Sequence, residues 1–111
     1  MQEQIKSRIW IEKEGDIFLG YGRVELLKKV NETESINAAS KALKMSYKKA
    51  WRLINQMNEA AKEPIIVKNI GGKDGGGTKL TPYGKKIITQ FETINKNCIE
   101  YLDSEFKKLS I

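Results

Sequence analysis

Lys48, Lys49, Arg52, Asn55 and Gln56 lie within nine residues, and a repeat of about 100° per residue puts all five on one side of a helix. Cations and amides in that arrangement suit a polyanion. Lys and Arg pair with phosphates, Arg also binds a guanine edge bidentately, and Asn or Gln can meet an adenine edge. No acid occurs in the run before Glu59, so its charge is not offset locally. Arg52 is best suited to bidentate base reading. Lys48 and Lys49 suit phosphates or guanine edges, and Asn55 and Gln56 suit an adenine edge or a phosphate. Ser46 and Tyr47 stand at the start of the segment, where a hydroxyl can hydrogen-bond a phosphate, although Ser46 serves equally well as a helix cap. Trp51 falls about 100° from the apolar stripe and is expected to be half buried against an earlier helix.

A second concentration of chemistry is GGKDGGGTKLT, residues 71–81, with five of the nine glycines beside two lysines and two threonines. A nucleotide phosphate loop needs G-x-x-x-x-G-K-[ST] running straight into a helix. Here Gly77 is followed by Thr78 and then Lys79, in reversed order, and TKLT reads as a strand. A flexible hairpin tip accounts for the glycines, which adopt φ > 0 freely. It leaves Lys68, Lys73 and Lys79 along the hairpin, opposed only by Asp74.

Other chemistry is excluded by what is missing. The 111 residues contain no histidine and one cysteine, Cys98, which removes imidazole-based triads, Cys/His metal sites and intramolecular disulfides. We expect no catalytic residue, no metal and no cofactor, hence not an enzyme. The net charge of +6 is uneven: residues 41–96 hold twelve basic and four acidic side chains, and the rest of the chain is slightly acidic. A basic middle points to a polyanion along one face. There is no apolar run near 18 residues and no apolar stretch at the amino terminus, so neither a membrane span nor a signal peptide is expected, and the cytoplasm is the expected location.

The length corresponds to one domain, 1–111. SRIWIEKEGDIFLGYG reads as a short hairpin turning at Glu14, Gly15 and Asp16. Val24, Leu27 and Val30 at helical spacing predict an amphipathic helix over about 23–31. A helix pair follows over 35–61, capped by Ser35 and Ser46 and broken at Lys44 and Met45. Its first member has the small inner face Ile36, Ala39, Ser40 and Leu43, and its second the buried stripe Ala50, Ile54 and Met57 with Leu53 at the edge. IIVKNI and TKLT make a hairpin over 65–81. Thr81 caps a last helix over 82–109, opened by Pro82. Ile88, Phe91, Asn95, Cys98, Leu102, Phe106 and Leu109 recur along it at intervals of three and four, close to a coiled-coil seam.

Two short helices, the second with a basic outer face, followed by a glycine-tipped basic hairpin, have the form of a winged helix-turn-helix. The fold class is therefore mainly α with a small β component: a winged helix-turn-helix with an N-terminal β-hairpin and a long C-terminal dimerisation helix. The partner to expect is double-stranded DNA, the second helix reading the major groove and the wing lying on the backbone. A winged-helix module for protein contacts is the alternative.

SINAASKALKMSYKKAWRLINQMN, followed by GGKDGGGTKLTPYGKKII, resembles the DNA-binding domain of ModE-type molybdate-responsive transcriptional regulators, which is related to the LysR-type winged helix. The resemblance covers about 7–90 and rests on Ala39, Leu43, Ser46, Tyr47, Lys48, Ala50, Trp51, Ile54 and Asn55, with the glycine wing, Leu80, Thr81, Tyr83 and Gly84. It implies a sequence-specific regulator binding a palindromic operator as a homodimer held by the first and last helices. Val24, Leu27, Ile88, Phe91, Asn95, Cys98 and Leu102 are then the expected interface; packing of the seam on the first helix and hairpin of its own chain is the alternative, and both can hold on different stretches. Regulators of that family carry molybdate-binding domains after the DNA-binding one. Since this sequence ends at Ile111, the expectation is control through a separate effector-sensing partner or constitutive binding.

Overall fold

The computed structural model describes residues 3–69 and 77–111. The chain opens with β1 (Trp10–Lys13) and β2 (Asp16–Gly20), antiparallel, with Trp10 opposite Gly20 and Lys13 opposite Asp16. Glu14 and Gly15 make the turn in the left-handed region, at φ 52° and 86°. β2 runs directly into α1 (Tyr21–Thr33), the centre of the fold, which packs on β2, on the two following helices and on the wing. Val24, Leu27 and Val30 are buried, as their spacing predicts, and Leu26 is fully buried as well, because α1 has neighbours on several sides. Burial of one such leucine contributes about 1.5–3 kcal/mol.

α2 (Ile36–Ala42) and α3 (Tyr47–Ala60) form the helix pair. Ser35 and Ser46 cap them, their hydroxyls accepting from the amides of Ala38 at 3.0 Å and Lys49 at 3.1 Å. Ala39 and Ser40 are buried where α2 meets its neighbours. The turn between the helices runs through Lys44 at φ 56°, and the Met45 amide reaches back to the Ser40 carbonyl at 3.0 Å. Ala50, Ile54 and Met57 form the buried stripe of α3.

β3 (Ile66–Asn69) and β4 (Gly77–Leu80) pair antiparallel, with Ile66 opposite Leu80 and Asn69 opposite Gly77. The glycine-rich tip, with Lys73 and Asp74, lies outside the described residues. β4 is strand where a phosphate loop would require a helix, and α4 (Pro82–Phe106) begins only afterwards, with Thr81 accepting from the Gly84 amide at 2.9 Å. This is a winged helix-turn-helix with an N-terminal hairpin and a long last helix, mainly α, as the pattern predicted. The last helix ends three residues earlier than expected.

The expected dimer interface needs correction. Val24, Leu27, Ile88 and Phe91 are buried in the core of their own chain, packed with Leu19, Ile65 and Leu80, and present no surface to a partner. An apolar repeat on a helix records that a face is covered, not by which chain. Beyond Phe91, α4 buries no residue fully; Asn95, Cys98, Leu102 and Phe106 are half-buried. This stretch helps to draw the molecule out to 59 × 30 × 23 Å.

Candidate nucleic-acid interface

Lys48, Lys49 and Arg52 are exposed on α3, away from the stripe of Ala50, Ile54 and Met57. Ion pairs among the described residues involve the side chains of Lys28, Lys29, Lys79 and Lys108, so the cations of α3 have no carboxylate partner there. The two amides of the face are engaged. Asn55 Nδ2 donates to Glu59 Oε1 at 3.3 Å, and Gln56 Oε1 accepts from both terminal nitrogens of Arg23 at 3.4 Å. Ser46 acts as the cap of α3. Tyr47 and Trp51 are about half exposed, on the flank of the helix that also carries Asn58.

Asn58 sets the wing against α3. Its Oδ1 accepts from the amides of Ile65 at 2.7 Å and Ile66 at 3.2 Å, which places the start of β3 beside the helix. The other strand is held by Glu34, just past α1: the Thr78 amide donates to its carbonyl at 3.0 Å, and Lys79 Nζ lies 3.0 Å from its Oε1. Lys68 and Lys79 are both exposed. Lys79 is nonetheless paired with a carboxylate that the local sequence did not reveal. Exposed pairs of this kind are weak, about 0–1 kcal/mol, so an arriving phosphate can exchange for Glu34.

Arg23, on α1, was not legible as part of this surface. Burial, and then the like charge of Arg52, hold its guanidinium below the ordinary value. Sequence periodicity marks it only as a polar position on α1, and its proximity to α3 comes from the crossing of the two helices. Asn58 and Glu34 escaped notice for the same reason, since their partners are brought to them by the fold. On the opposite side of α1, Lys28 donates to Glu92 at 2.8 Å and ties α1 to α4; that hydrogen bond raises the Lys28 value.

Comparison with known proteins follows the same outline. The bacterial regulatory helix-turn-helix protein, lysR family, matches residues 22–85, from the start of α1 to the first turn of α4. The Molybdenum transport protein ModE of Azotobacter vinelandii is 38% identical over 95 residues, 86% of this chain and 34% of the relative. The Transcriptional regulator ModE of Haemophilus influenzae is 39% identical over 80 residues, 72% of this chain and 31% of the relative. The DNA-binding transcriptional dual regulator ModE of Escherichia coli K12 is 33% identical over 94 residues, 85% of this chain and 35% of the relative. The chain thus spans about a third of the length of these curated relatives. With the helix pair, both wing strands and more than half of its residues inside the family match, the chain belongs to the bacterial regulatory helix-turn-helix proteins of the lysR family.

Proposed function

We propose that the chain is a cytoplasmic, sequence-specific transcriptional regulator that binds a palindromic operator as a homodimer. In this reading α3 enters the major groove and the β3–β4 wing grips the neighbouring backbone. The observation that carries it is the exposed row of Lys48, Lys49 and Arg52 on α3, without carboxylate partners among the described residues and flanked by a wing that is hydrogen-bonded to the same helix. Arg52 reads a guanine edge, and Lys48 and Lys49 neutralise phosphates with the Tyr47 hydroxyl. Asn55 and Gln56 reach a base or a phosphate after leaving Glu59 and Arg23. Lys68, Lys73 and Lys79 hold the wing to the backbone.

The dimer forms through α4 beyond Phe91, where Asn95, Cys98 and Leu102 remain accessible and Ile94 and Tyr101 are 53% and 64% exposed. Selection of bound sequences from a random DNA pool tests binding, specificity and palindromy together; a symmetric consensus is expected. Arg52→Ala relaxes the selected sequence, whereas Lys73→Ala weakens binding to every duplex. Equal behaviour of the two variants contradicts this division of labour. Failure to bind random duplex at low salt points instead to a protein-interaction module. A separate effector-sensing partner belongs to the same proposal, so molybdate added to the isolated chain is expected to leave operator affinity unchanged.

A further inference from the structure

A cleft of about 390 Å³ lies where the lead into β1, the start of α1 and α3 meet. Its lining is mostly apolar, from Ile9, Ile17, Met45 and Leu53, with the cations contributed by Arg8, Arg23 and Lys49. Three cations line it and no carboxylate does; none of the three takes part in an ion pair among the described residues. Arg23 also borders an adjoining cleft, where Lys13, Arg23 and Arg52 are matched by Glu14, Asp16 and Glu59. By residue type the smaller cleft has the uncompensated positive charge, with Arg23 at its border with the larger one, where its guanidinium donates to Gln56 beside Arg52. Burial and the nearby Arg52 make the Arg23 cation costly, and an anion seated beside it relieves both.

The cleft adjoins the reading face through Lys49. At about 100° per residue, Asn58, which holds the wing, projects from one flank of α3, and Lys49 projects from the other, so wing and cleft bracket the helix. A duplex docked on α3 presents a phosphate strand on each side. We propose that this cleft seats phosphates of the DNA backbone on Arg8, Arg23 and Lys49, making the N-terminal hairpin a second clamp on the flank opposite the wing. The inference rests on the DNA-binding reading above and extends its footprint to residues outside the helix pair and wing. Tyr21, itself exposed, also lines this cleft.

The test is a salt titration of affinity for a random duplex of about 30 base pairs, from about 50 to 300 mM salt. Wild type, Arg8→Gln, Arg23→Gln and Lys48→Gln are compared. Arg8→Gln is expected to weaken binding several-fold and to reduce the salt slope by about 0.9 for each phosphate it no longer neutralises. Arg23→Gln should act in the same direction; because Arg23 is partly buried, exposed Arg8 keeps the test valid if that variant fails to fold. If Arg8→Gln retains wild-type affinity and slope while Lys48→Gln loses both, the clamp is wrong and the helix reading stands. If wild type ignores duplex altogether, the DNA-binding reading itself falls.

Discussion

At the scale of single residues, Asn58 and Gly84 are where the wing meets α3 and α4. Asn58→Ala strips the partner from the amides of Ile65 and Ile66 and is expected to cost about 1–3 kcal/mol in urea unfolding, with DNA affinity falling as the wing loosens. Gly84 stands so close to the residue before β3 that an added Cβ would clash with the Ile65 carbonyl oxygen. Gly84→Ala, which stabilises an ordinary helix by about 1 kcal/mol, is here expected to destabilise by roughly 1–3 kcal/mol. A melt showing Gly84→Ala above wild type would refute that close approach. Caps Ser35, Ser46 and Thr81 were legible in the sequence because a cap bonds an amide three residues on. Arg23, Glu34 and Asn58 were not, since residue type says nothing about a partner supplied by another element.

At the scale of elements, the turn between α2 and α3 and the distal half of α4 carry separate expectations. Lys44 occupies a left-handed conformation that favours glycine, so Lys44→Gly should raise stability by about 0.5–1 kcal/mol and leave the crossing of the helices unchanged. Light scattering should give twice 12.7 kDa for wild type, and the monomer mass for an Ile94→Glu, Tyr101→Glu double variant with unchanged far-UV dichroism. The Lys28–Glu92 link contributes below the unfolded lysine value, about pH 10.4, and is lost as pH rises through the raised folded one. Both side chains are nearly half exposed, and Glu92→Gln should cost no more than about 1 kcal/mol at neutral pH. The elements themselves were readable from periodicity and punctuation. Whether Val24, Leu27, Ile88 and Phe91 pack on their own chain, as their burial here indicates, or on a partner was not legible, because a stripe that packs inside one chain has the same spacing as one that packs between two.

For the whole molecule, the concentration of charge in residues 41–96 was visible before any fold, and folding distributes it over α3, the wing and the start of α4. With about four phosphates neutralised by each protomer of a dimer, log affinity should fall against log salt with a slope of about −7. A flat response would remove the electrostatic basis of binding. No histidine is present, so affinity should also stay level between about pH 6 and 8, which a titration at fixed salt can check. One uninterrupted helix carries both the core-packed turns around Ile88 and Phe91 and the free turns around Ile94 and Tyr101. That continuity makes α4 a vernier. One residue inserted after Glu92 rotates the free face by about 100° and moves it about 1.5 Å, which in the proposed dimer would turn one protomer's reading helix out of phase with its twin. Seven residues nearly restore the angle while lengthening the rod by about 10 Å, so in the proposed dimer the preferred separation of operator half-sites should change in helical steps.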